Sequence, residues 1–190
     1  MSPPRLWLLA GGNGAGKSTF YRLFLAPRGL PFINADRIAR DLVPSAPEQA
    51  SYQASAIAES LRTQWLEKGR SFCFETVFSH PSKVDFVARA RALGYEVVFV
   101  YIHLESAQLN LARVSQRVTA GGHGVPEEKV RSRLPRTLEH VRRTVPLATE
   151  LRLLDNSFRE SPFREIALVR KGALVRGVSP LPDWARQILP

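Results

Sequence analysis

Gly11-Gly12-Asn13-Gly14-Ala15-Gly16-Lys17-Ser18 has the spacing G-x-x-x-x-G-K-[ST], and the apolar run Leu6-Trp7-Leu8-Leu9-Ala10 leads straight into it. Thr19, Phe20, Tyr21, Leu23, Phe24 and Leu25 follow at spacings that suit a helix. Buried strand, glycine turn and helix form the context in which this spacing holds a phosphate. The glycines let successive backbone N–H groups wrap around phosphate oxygens, so Gly12, Asn13, Gly14, Ala15, Gly16, Lys17, Ser18 and Thr19 form the candidate nucleotide-binding set. The helix N-terminus adds about half a positive charge at the same place. Lys17 would reach the β- and γ-phosphates, and the Ser18 hydroxyl is the candidate ligand of Mg²⁺. A glycine-rich turn that merely joins strand to helix is the weaker reading, because all four fixed positions are filled and both flanks fit. The pattern predicts a site for a nucleoside triphosphate, ATP with Mg²⁺.

Phosphoryl transfer also needs a group that positions the acceptor and positive charge over the moving phosphoryl. Asp36 ends a short predicted strand, Leu30–Asp36, where a carboxylate can take the acceptor hydroxyl's proton; its other reading is an N-cap for residues 37–42. Glu75 closes the otherwise apolar run Ser71–Val77, so it either emerges into a cleft, to hold the acceptor or a metal-bound water, or is buried in an ion pair. Thr76, Ser79 and His80 could add hydrogen bonds to the acceptor or stabilise their own loop. His103 and Glu105 close a later strand, where a turn or cap role fits better. Arg113 and Arg117 lie four apart on one helix, and Arg131, Arg133 and Arg136 lie on the next, with Gly121-Gly122-His123-Gly124 between them. Such a pair of helices predicts a lid, about residues 113–136, that folds arginines onto phosphate charge. Arg117 and Arg133 are the catalytic candidates within it, a solvated basic face being the alternative for the rest. His123 is expected to shape the loop.

The elements that must position these residues alternate between strand and helix. Glu48–Lys68 reads as a long amphipathic helix ended by Gly69, and Pro81 opens another that stops at Gly94. Tyr95–Leu104 is the strongest strand signal, β-branched and aromatic throughout. Ser106–Val118 is a helix, and Pro126 is placed at the first position of the next one, with acids in its first turn. Leu151–Ser157 is a strand with a polar tip, Glu165–Val175 a hairpin turning at Lys171-Gly172, and Pro182–Leu189 a short closing helix. The expectation is an α/β fold of three layers: a mainly parallel sheet, helices on both faces and an arginine-bearing helical lid. Lys17, Asp36, Glu75 and Asn156 then fall at the carboxyl edge of the strands, where ligands bind in such sheets.

At 190 residues the chain suits one domain, 1–190, with the hairpin and short helix occupying about 163–190. No apolar run approaches a membrane span, and Met1–Arg5 lacks a signal-peptide layout, so a cytoplasmic protein without a membrane partner is expected. Cys73 is alone and sits in an apolar run, so it reads as a buried inert thiol. The net charge of +10 raises a nucleic-acid partner, but arginine supplies most of it and clusters between Arg113 and Arg143, as phosphate handling would require. Nucleic acid therefore stays open without being favoured.

Taken together, Ala10–Thr19, Asn34-Ala35-Asp36, Phe74–Lys83, Arg117-Val118, Gly121-Gly122-His123, Val125-Pro126-Glu127, Arg131–Leu138 and Asp155-Asn156-Ser157 resemble the zeta-toxin-like P-loop kinases, in the right order over about residues 5–160. The resemblance implies that Lys17 binds ATP, that Asp36 is the base and that lid arginines engage the phosphates. It also implies that Asn156 contacts adenine, that the acceptor is the 3′-hydroxyl of UDP-N-acetylglucosamine or a similar nucleotide sugar, and that an antitoxin protein is a partner. The chain departs in being close to the bare kinase core and in having Leu134 where a lid tyrosine is usual. A kinase or ATP-dependent binding module acting on a polynucleotide end is the alternative function.

Overall fold

The computed structural model describes residues 2–119 and 126–189, for 117–119 the backbone alone. Its frame is one seven-stranded sheet in the order β2-β3-β1-β4-β5-β6-β7. Strands β1 (Arg5–Ala10), β2 (Phe32–Ile33), β3 (Phe72–Thr76), β4 (Glu96–His103) and β5 (Glu150–Asp155) run parallel. Strands β6 (Arg164–Arg170) and β7 (Ala173–Gly177) continue the sheet antiparallel, as a hairpin turning at Lys171-Gly172. The mainly parallel α/β sheet expected from the sequence is what forms.

Parallel strands buried on both faces read as nearly unbroken apolar runs, and alternate side chains supply the two layers. Leu6, Leu8, Ala10, Phe72, Phe74, Val97, Phe99 and Tyr101 face one layer. That layer holds α3 (Ser51–Glu67), α4 (Ser82–Ala92), α6 (Glu127–Thr144) and α7 (Asp183–Arg186). Leu9, Cys73, Val100, Ile102 and Leu154 face the other, against Ala15 of the loop after β1 and against Phe20 and Leu25 from α1 (Lys17–Phe20) and the π-helical turn Tyr21–Leu25. Helix α2 (Ala35–Leu42) packs on α3 through Ala39, Ala50 and Ala54, and α5 (Ala107–Thr119) follows β4. Burial pushes the Cys73 thiol well above its usual range, which leaves it an inert core group.

Register sets the working edge. Ala10 pairs with Thr76 on one side and Tyr101 on the other, Ile33 pairs with Phe74, and His103 pairs with Asp155. The segments after β1, β2, β3, β4 and β5 therefore emerge side by side. Several boundaries differ from the sequence expectation. The expected helix 48–68 starts as a 3-10 turn, Pro47–Ala50, before α3 takes over at Ser51. Pro126 is the residue before α6 rather than its first, and the closing helix is only Asp183–Arg186. Proline lacks the N–H that an α-helical ladder uses, so it sits in such flanking turns readily. The expected glycine loop, with Gly121, Gly122, His123 and Gly124, lies outside the described residues.

Candidate active site

The loop between β1 and α1 is held in shape by close neighbours. A Cβ on Gly11, at φ 147°, would stand 2.3 Å from the Ile102 carbonyl oxygen, and one on Gly16, at φ 97°, would stand 2.6 Å from Asn156 Nδ2. Only glycine fits either place. Within the loop Ala15 N–H donates to Gly12 O at 3.2 Å, and Phe20 N–H to Gly16 O at 2.8 Å. Lys17 is buried, and its Nζ donates to Gly11 O and Gly12 O, each at 3.0 Å. The ammonium is thus folded back over the loop that would cradle a phosphate.

Neighbouring elements clamp this loop. Asn156, after β5, donates from Nδ2 to Ala15 O at 2.9 Å and accepts at Oδ1 from Phe163 N–H at 3.2 Å. Its own carbonyl accepts from Arg113 Nη2 at 2.7 Å. Asn110 of α5 donates from Nδ2 to Asn13 O at 2.6 Å. Among the described residues, Asn13 Oδ1 and Asn110 Oδ1 are buried side-chain oxygens with no hydrogen-bond partner. Leu134 of α6 covers the loop, its Cδ2 lying 3.1 Å from where a Gly12 Cβ would be.

Ser18 and Glu75 meet across the cleft, the Ser18 hydroxyl donating to Glu75 Oε2 at 2.7 Å. Glu75 arrives from the end of β3, so its carboxylate does emerge at the phosphate loop. Among the described residues no three His, Cys, Asp or Glu side chains gather as a protein-only metal cage. One hydroxyl beside one carboxylate does fit Mg²⁺, which keeps water and phosphate oxygens for most of its shell.

On the acceptor side, the N-cap of α2 is Asn34, whose Oδ1 accepts from Arg37 N–H at 2.9 Å. Asp36 lies inside the first turn, exposed, and its carboxylate makes no hydrogen bond or ion pair among the described residues. Thr76 Oγ1 accepts from Phe78 N–H at 3.0 Å, and His80 Nδ1 accepts from Ser82 N–H at 3.2 Å, so both brace the loop after β3. Ser79 is half-buried in the same loop. Two residues of α6 hold that loop's backbone: Thr137 Oγ1 donates to Val77 O at 2.9 Å, and His140 Nδ1 to Phe78 O at 3.0 Å.

The arginines divide. Arg113 is spent on the Asn156 carbonyl; burial lowers its pKa, Arg159 lowers it further, and Asp155 opposes both. Arg131 is ion-paired to Glu127 at 2.7 Å and Arg136 Nε donates to Ser132 O, while Arg133 is half-buried beside Leu134. Arg117 lies on α5, with its side chain outside the described residues. Asn110, Asn156's role as a clamp, and the α6 contacts to Val77 and Phe78 escaped the sequence reading. A buried asparagine on an amphipathic helix was the one available signal, at Asn110.

His103 stacks on Trp184 with ring centres 4.2 Å apart, and burial lowers its pKa to about 4, with Asp155 opposing. It lines a cavity of about 550 Å³ together with Tyr101, Leu104, Leu134, Leu138 and Gln187.

The sequence profile of the zeta toxin family matches residues 2–155. The chain belongs to the zeta toxin family. An uncharacterized protein of Haemophilus influenzae is 31% identical over 136 residues, which cover 68% of this chain and 96% of that protein. A like fold is seen in the solved structure of the PezAT chromosomal toxin–antitoxin system of Streptococcus pneumoniae. That structure has a TM-score of 0.69 at 14% identity and covers 100% of this chain and 79% of its own. A crystal structure of AvrRxo1-ORF1:-ORF2 with ATP has a TM-score of 0.76 at 18% identity, covering 98% of this chain and 63% of its own. At those identities the likeness is one of fold. No helix among the described residues is long and apolar enough to cross a membrane.

Proposed function

We propose that the protein is an ATP-dependent kinase, acting in the cytoplasm as one domain over residues 1–190. It would transfer the γ-phosphoryl of ATP to a hydroxyl of a nucleotide-sugar-like acceptor, with the UDP-N-acetylglucosamine 3′-hydroxyl as best candidate. The observation that carries this reading is the phosphate loop with Lys17 folded over Gly11 and Gly12 and with Ser18 facing Glu75 at 2.7 Å. Family membership and the ATP-containing AvrRxo1 complex of like fold support the choice of nucleotide.

In this reading the N–H groups of Gly12–Thr19 cradle the phosphates and Lys17 balances their charge. Ser18 and Glu75 would hold Mg²⁺, which supplies charge neutralisation on the phosphate oxygens. The acceptor oxygen bonds to the γ-phosphorus as the bond to the bridging oxygen breaks, and ADP leaves. Asp36 receives the hydroxyl proton, a role its exposed, unpaired carboxylate leaves open, since Asn34 already caps α2. Glu75, Thr76, Ser79 and His80 border the acceptor, while Arg117 and Arg133 stabilise charge on the moving group from the lid helices. PezAT and AvrRxo1 are each solved with a partner protein, which supports an antitoxin partner here.

An acceptor screen following ATP consumption, with UDP-sugars, free nucleotides and oligonucleotides, tests this. UDP-N-acetylglucosamine-dependent ADP release supports the reading. Turnover only with oligonucleotide ends, weakened steeply by salt, moves the function to the alternative that the +10 charge suggests.

A further inference from the structure

Helix α3 turns one face to the core through Ala54, Ala58, Arg62 and Leu66, each four residues from the next. Three are apolar. The third position is an arginine, and it is only 9% exposed. Its guanidinium carbon lies 5.1 Å from the centre of the Phe74 ring, a cation–π contact. Among the described residues it has no hydrogen bond or ion pair.

Lys83, in the first turn of α4, brings a second half-buried cation into electrostatic range of Arg62, and it too lacks a side-chain partner among the described residues. Burial lowers the Lys83 pKa, the Arg62 charge lowers it further, and Glu59 opposes both. Glu59 is exposed on α3 and forms no ion pair with either. A guanidinium taken out of water is stabilised by a paired anion, and a ring face replaces only part of that. An aliphatic side chain at position 62 would complete the apolar stripe without this penalty.

We propose that Arg62 and Lys83 form an anion subsite that takes a phosphoryl group of the acceptor. The site borders the acceptor loop: Phe74 directly precedes Glu75, and Lys83 N–H donates to His80 O at 3.1 Å. It is separate from the phosphate loop's own anion site, because Phe74 faces the α3–α4 layer while α1 packs on the opposite face of the sheet. Arginine's fork and lysine's point charge together suit phosphate oxygens. Assigning the phosphoryl group to the acceptor rests on the kinase reading; the anion subsite itself does not.

Lysine acetylation of the full chain, read by mass spectrometry, tests both separately. The protein is held with saturating non-hydrolysable ATP analogue and excess Mg²⁺, and inorganic phosphate is added against chloride at matched ionic strength. Phosphate is expected to slow acetylation of Lys83 several-fold and to leave Lys68 and Lys171 unchanged. Arg62→Lys should keep that protection. Arg62→Leu should lose it while melting no lower than the wild type. Lys83 reactivity unmoved by phosphate overturns the proposal. So does protection that persists in Arg62→Leu, above all if that variant melts lower, since Arg62 would then be structural. Lys17 reports the phosphate loop in the same sample. If the ATP analogue fails to protect Lys17, the kinase reading falls while the Lys83 result still decides the subsite.

Discussion

Asn156→Ala should loosen the phosphate loop from the tip of β5. The side chain is nearly buried and joins Ala15 O, at 2.9 Å, to Phe163 N–H, at 3.2 Å. Each lost hydrogen bond is worth about 1 kcal/mol, and each buried partner left unpaired adds roughly 1 kcal/mol or more. The expected loss is about 2–4 kcal/mol, and at this chain length that is roughly 4–16 °C in melting temperature. Ala15 O shares its peptide unit with Gly16 N–H, a proposed donor to phosphate, so ATP affinity should fall on the order of tenfold, equivalent to about 1.4 kcal/mol. Asn156→Asp should be at least as damaging, since it sets a carboxylate oxygen against Ala15 O where a donor stood. Thermal melts paired with calorimetric titration of ATP and GTP provide the check. A role as adenine contact, which the family resemblance implies, would instead erase the ATP-over-GTP preference with the melting temperature unchanged. That outcome would refute the clamp.

Lys17→Ala should abolish ATP turnover while leaving the far-ultraviolet spectrum of the wild type; wild-type turnover would remove the lysine from the mechanism. Asp36→Asn should slow phosphoryl transfer on the order of a hundredfold with ATP affinity nearly unchanged, and single-turnover kinetics within a few-fold of wild type would reduce Asp36 to a helix residue. The depressed pKa of His103, about 4 against about 6.5 unfolded, means that the unfolded chain takes up the extra proton. Its contribution, on the order of 3 kcal/mol, is complete above the unfolded pKa and is lost as pH falls toward the folded one. Urea midpoints followed from neutral pH down to that range should show this slope, and His103→Phe, which keeps a ring on Trp184, should flatten it.

The glycine loop proposed to cradle phosphate was legible as a strand–turn–helix because its signal is local. Glycine positions are set by backbone conformation within a few residues, and the flanking strand and helix announce themselves by their own periodicity. Runs such as Leu6–Ala10 and Glu96–His103 likewise state that both their faces are buried, which implies a mainly parallel sheet. Long-range side-chain partnerships carry no such period. Asn156 and Ala15 are 141 residues apart, and a polar residue at a strand tip is equally compatible with touching a ligand or a neighbouring loop. Only the order β3-β1-β4-β5 brings the tips of β1 and β5 close enough for Asn156 to be spent on the phosphate loop. Thr137 and His140 looked like ordinary members of a charged helix until α6 was laid against Val77 and Phe78. Arg62 falls in the same class: α3 was readable as an amphipathic helix, but packing against Phe74 decided that its buried face carries a cation. Local spacing determines which elements form and what chemistry they could carry, whereas tertiary packing determines which polar groups are consumed in holding the site and which remain for a ligand.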